Sequence, residues 1–163
     1  MRQILERAHA SFCEAVARLG DDAAPMVVVL YPEVVVPMLV PGGADEILAA
    51  LSALADPSSP LTAREVEGLM VHTTAWAIPA EARTDSTPRA MGEAGDPRAR
   101  SLAVSWLCRI GADGEPSLEG RATDYDPVSL ELGDTDAAEL GDTDEVGGFL
   151  AALAIATVIC HGI

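Results

Sequence analysis

Apolar residues recur every three to four positions over residues 2–19. Ile4, Leu5, Ala8, Phe12, Ala15, Val16 and Leu19 fall within an arc of about 120°, and Arg7, Ser11, Glu14 and Arg18 lie opposite, which predicts an amphipathic helix. Gly20 ends it, with Asp21, Asp22 and Pro25 beyond. The pattern then changes. Two β-branched runs, MVVVL and VVVPMLV, flank a Tyr-Pro-Glu turn and predict strands at 26–31 and 34–40. Pro37 has no N–H to give a ladder, so the second strand belongs at an edge or carries a bulge.

Pro41-Gly42-Gly43 breaks that strand. Ile47, Leu48, Leu51 and Leu54 then share one face of a helix predicted over 45–55, with Asp45 and Glu46 at its positive end. Thr62 to Glu65 has the spacing of a capping box. A strand follows between Val66 or Leu69 and Ile78. Residues 80–100 form a long connection expected to be mobile, because it holds glycines, prolines and no apolar run. In SLAVSWLCRI, Leu102, Val104, Trp106, Cys108 and Ile110 share a strand face, with Ser105 and Arg109 on the other. A turn at 111–116 returns the chain as the more polar strand SLEGRATDY.

The last charge-free run, Gly147 to Cys160, is apolar all round as a helix. Phe149, Leu150, Leu153 and Cys160 lie to one side, and Ile155, Val158 and Ile159 to the other. Such a helix is expected to be enclosed, either wholly in the core or half in core and half in a subunit interface. At ~1.5 Å per residue it is too short for a ~30 Å hydrocarbon layer. The order α-β-β-α-β-β-β-α predicts an α+β fold: one domain over 1–163, with an antiparallel sheet of about five strands packed against N-terminal, middle and C-terminal helices.

Charge changes this picture more than composition does. The 163 residues carry a net charge of −16, and all ten basic residues are Arg. Asp113 to Glu145 is the acidic segment, with twelve acids and one base, Arg121. This weighs against nucleic acid or an anionic membrane as partner and permits a basic protein, a metal ion or plain solubility. The start, MRQILERAHA, lacks an apolar core for export, and Cys13, Cys108 and Cys160 are odd in number and far apart. A reducing, cytoplasmic setting is expected.

The phosphate-loop, dinucleotide, nucleophile-elbow and zincin signatures are absent from the sequence. The tandem ELGDTD at 131–136 and 139–144 offers Asp134, Asp136, Asp142 and Asp144. Ala138, Val146 and Leu153 fall where a calcium loop needs oxygen ligands, and Glu139 where it needs Gly, so no metal or cofactor is expected there. His9 and Cys13, four apart on a helix, would complete a Cys₂His₂ zinc set with Cys160 and His161 only if the termini met; a half-buried His and a buried Cys at the border of the apolar stripe are the simpler expectation. Arg89 and Arg98, in the long connection with Arg83 and Arg100, are the candidate cationic contacts.

The expected function is a non-enzymatic acidic interaction protein: an adaptor, regulatory or chaperone-like subunit that meets a basic partner. Asp134, Asp136, Asp142, Asp144, Arg89 and Arg98 are the partner contacts, and Ile155, Val158 and Ile159 bury a homodimer interface. The alternatives are a small-ligand binder or enzyme with a pocket between the sheet and the 80–100 connection, and a DNA mimic.

Overall fold

The computed structural model describes residues 3–40, 42, 44–56, 58, 66–78, 88–138 and 144–162. The class is α+β, as the element order predicts, and the sheet is antiparallel. The strands are β1 (Met26–Leu30), β2 (Val35–Leu39), β3 (Gly68–Ala77), β4 (Arg100–Ile110), β5 (Pro116–Tyr125) and β6 (Leu132–Ala137). They run β2-β1-β3-β4-β5-β6 across the sheet. The helices are α1 (Gln3–Leu19), α2 (Ala44–Leu54), α3 (Pro88–Glu93) and α4 (Asp144–Gly162), and a short 3-10 helix follows α1 at Gly20–Asp22. The capping box at 62–65 lies outside the described residues.

The chain divides into two compact units. The first comprises residues 1–23, 73–105 and 120–147. Its α1 follows the predicted stripe, with Leu5, Phe12 and Val16 fully buried. Strand β6 joins β5 in the register Arg121↔Ala137, Ala122↔Asp136 and Thr123↔Thr135, with a bulge before Tyr125↔Leu132. This is the sixth strand, one more than the hydrophobic pattern implies. Every residue in it is exposed, so it has no alternation to betray it.

Within the same unit, part of the connection expected to be mobile is ordered. Its described portion, 88–100, holds α3, and Met91 buries against Ile78. Gly92 lies directly on the Trp76 ring, where a Cβ would overlap the indole. Residues 79–87 lie outside the described residues.

The second unit comprises residues 24–72, 106–119 and 148–163. Strand β1 pairs antiparallel with both β2 and β3, through Val28↔Pro37 and Val28↔Met70. Pro37 thus sits on an edge strand, where a missing N–H costs no inner ladder bond. Helix α4 buries Leu150, Leu153, Ala156, Thr157 and Cys160, and the Cys160 thiol bonds the Leu54 carbonyl at the end of α2.

Strand β4 departs from the expected division between a core face and a free face. All residues from Ser101 to Cys108 are buried, including Ser105. A run of small and apolar residues without true alternation marks a strand covered on both faces.

The β4–β5 turn places Gly114 at φ 80°, and no atom lies within 4 Å of a Cβ added there. Gly114→Ala is therefore expected to cost about 1 kcal/mol through backbone strain alone, and Gly114→Asn less. Urea titration checks this, and a cost of several kcal/mol would mean a hidden contact.

Candidate functional site

The expected contact residues scatter. Asp134 and Asp136 stand exposed on β6. Asp142 and the Asp144 side chain lie outside the described residues. Arg89 pairs with Glu93 one helical turn on, at 3.7 Å. Arg98 grips Asp96 with two side-chain bonds, of 2.9 and 3.1 Å, and a backbone bond, which hold the Asp96 carboxyl down at about 2. Both arginines therefore already hold a carboxylate.

In the second unit, α4 is not enclosed by its own chain, as an all-apolar helix would have to be. Ile155 is 58% and Val158 43% exposed, and Ile159 is half-buried. Val35 and Leu39 on β2, also in this unit, are exposed too. The uncovered part is the Ile155–Val158–Ile159 side that the sequence sets apart from Leu153 and Cys160.

The first unit holds a buried polar chain beneath α1. The His9 ring lies between two hydroxyls, with Nδ1 2.7 Å from Ser105 Oγ on β4 and Nε2 2.8 Å from Thr123 Oγ1 on β5. Thr123 continues to Thr135 on β6 at 2.6 Å, across a register pair. Cys13, one turn along α1, brings its thiol to 3.4 Å from Nε2. Helical spacing sets His9 beside Cys13, and strand register sets Thr123 beside Thr135.

Burial, and then the Arg121 guanidinium, pull the His9 ring down from 6.5 to about 4, so it is neutral at pH 7. One ring nitrogen donates and the other accepts. Burial pushes the Cys13 thiol up, against the bond from Thr123. A nucleophilic cysteine needs the reverse, a thiolate stabilised by positive charge. The cluster therefore locks α1 onto the sheet and supplies no activated nucleophile.

A cavity of about 500 Å³ opens beside this chain, lined by Glu6, His9, Cys13, Arg121, Thr135 and Asp136 among others. The Arg121–Glu6 ion pair, 2.6 Å long, lies along it. Glu6 is exposed, so Glu6→Gln is expected to move the melting temperature by no more than a few degrees in calorimetry. A collapse in stability would show that the pair organises the cavity.

No group of three or more His, Cys, Asp or Glu side chains that could hold a metal ion occurs among the described residues. Cys160 and His161 bond the Leu54 and Val66 carbonyls within the second unit, and His9 and Cys13 bond within the first. Ser105, Thr123 and Thr135 are the residues that sequence reasoning missed. The available signal was a serine amid an apolar strand and two threonines on neighbouring strands. No helix among the described residues is long and apolar enough to cross a membrane. Comparison with family models, with curated proteins and with solved structures finds no match to this chain.

Proposed function

We propose that this chain is a non-enzymatic interaction protein that works as a homodimer joined through α4, leaving its acidic strands free for a basic partner. The exposed Ile155 and Val158 on α4 carry this reading. From Val146 to Cys160 the chain holds no charged residue, while the whole carries −16. Two like-charged chains approach most easily through uncharged surface, and an isolated apolar face is what a twofold interface buries. The acids Asp134 and Asp136 stand on β6 in the other unit. The neutral His9 and protonated Cys13 support a binding role over catalysis.

Cross-linking tests the proposal. The three native cysteines are buried, so a thiol introduced at an exposed position is the accessible one. Ile155→Cys and Val158→Cys, tested singly under mild oxidation, are expected to yield a disulfide-linked dimer much faster than Leu132→Cys, an exposed position on β6. Equal rates at all three positions would overturn the α4 interface.

A further inference from the structure

We infer that a cleft in the first unit, between α3 and the ends of β4, β5 and β6, binds an organic cation with an alkylammonium or guanidinium head. The inference rests on the reading of this chain as an acidic interaction protein and names the group it would recognise. The cleft measures about 690 Å³ and draws its lining from Trp76, Ser101, Tyr125, Asp126 and Glu131 among others, all in one unit.

Three features converge there. The first is charge. One guanidinium lines the cleft, that of Arg100, and it holds Asp124 at 2.6 Å, while Arg89 and Arg98, outside the lining, hold Glu93 and Asp96. Asp126 and Glu131 then have no cationic partner among the described residues. Asp126 accepts the Val128 and Ser129 amides through Oδ1, which fixes its carboxylate at the rim and holds its acidity below the usual carboxylate range.

The second feature is aromatic. Trp76 and Tyr125 both line the cleft, with Gly92 covering part of the indole, and an aromatic ring attracts a cation. The Tyr125 hydroxyl bonds Asp21, so its ring is fixed.

The third feature is Ser101. It is 5% exposed, and its Oγ has no hydrogen-bond partner among the described residues. A buried hydroxyl left unpaired is costly. An ammonium or guanidinium brings several donors and no acceptor, which complements a cleft lined by Asp126, Glu131 and Ser101. An anion would meet uncompensated carboxylates, and a neutral apolar ligand would leave both them and Ser101 unanswered.

The cation can come from a Lys or Arg side chain of the partner or from a free amine. Amide chemical shifts of the full chain, followed during titration, decide. The probes are n-butylammonium, N-acetyl-lysine methylamide, a lysine-containing pentapeptide, and the neutral norleucine analogue. Saturable shifts are expected at Trp76, Ser101 and Glu131 with each cation, at roughly millimolar affinity for the small ones, and none with the neutral analogue.

Glu131→Gln, at an exposed position, is expected to weaken binding about fivefold while the remaining spectrum stays unchanged. Ser101→Ala is expected to weaken binding about threefold and, in the free protein, to leave stability equal or higher, because it removes an unpaired buried hydroxyl. A merely structural serine would lose stability instead. Tighter binding of the pentapeptide than of butylammonium assigns the cleft to a partner's side chain, and equal binding assigns it to free amines.

No saturation up to about 50 mM would overturn the proposal, as would an equal response to the norleucine analogue. The small cations require neither dimer nor partner, so that failure is separate from failure of the α4 interface.

Discussion

Lowering the pH from 7.5 to 4.5 is expected to remove about 2–3 kcal/mol of folding stability through His9 alone, the lower figure allowing for solvent screening. The ring titrates at about 4 when folded and at 6.5 as an ordinary histidine. Between these values the unfolded chain binds a proton that the folded chain refuses. The stabilisation is complete above pH 6.5, declines as the pH falls toward 4, and is exhausted below that. The carboxyl of Asp96, held at about 2, contributes in a lower window, from 3.8 downward, so the two effects separate.

His9→Leu removes both ring bonds to Ser105 and Thr123 and is expected to cost about 2–4 kcal/mol at pH 7.5. It should also remove the His9 part of the slope, so that the stability difference between wild type and His9→Leu shrinks as the pH falls from 6.5 to 4. Urea titrations at fixed protein concentration check both results. A difference between wild type and His9→Leu that stays constant across this window would contradict a buried neutral histidine.

The second large effect is expected at the dimer. Ile155→Asp places a carboxylate at a position 58% exposed in the single chain, where it is hydrated and costs little. In a twofold contact it is buried without a partner and faces a like charge from the second copy. The dissociation constant is expected to rise about 100-fold or more, with the circular dichroism spectrum and melting curve of a folded monomer. Leu132→Asp, at an exposed position on β6 in the other unit, should leave assembly unchanged. If Ile155→Asp unfolds the chain instead, the helix is enclosed within one subunit and the interface assignment is wrong.

Elements with a period were legible in the sequence. The stripe from Leu5 to Val16 marked α1, the β-branched runs marked β1 and β2, and Pro37 marked the edge on which it lies. Strand β6 was not legible, because neighbours and not local preference make it a strand. The hexapeptide ELGDTD occurs twice. Its first copy runs into β6, while the last residue of the second, Asp144, opens α4. Backbone pairing to β5 and the Thr123–Thr135 contact decide the first case.

The His9 chain was half legible. A cysteine at the border of the stripe was visible as buried, but the histidine four before it read as half-buried and is 3% exposed. Their hydroxyl partners lie about a hundred residues away and needed the register of three strands. The cleft's cation-binding character was hidden for the same reason. Arg98 and Arg100 look like its natural contacts until the fold shows each already holding a carboxylate, and Ser101 reads as one more strand residue until its hydroxyl is seen without a partner.

Light scattering on the intact chain at about 100 μM, in low and in high salt, asks most directly whether α4 is an interface. A mass of twice 16.9 kDa is expected, with the dimer fraction rising as salt screens the −16 charge of each subunit. A mass of 16.9 kDa in both conditions would contradict it.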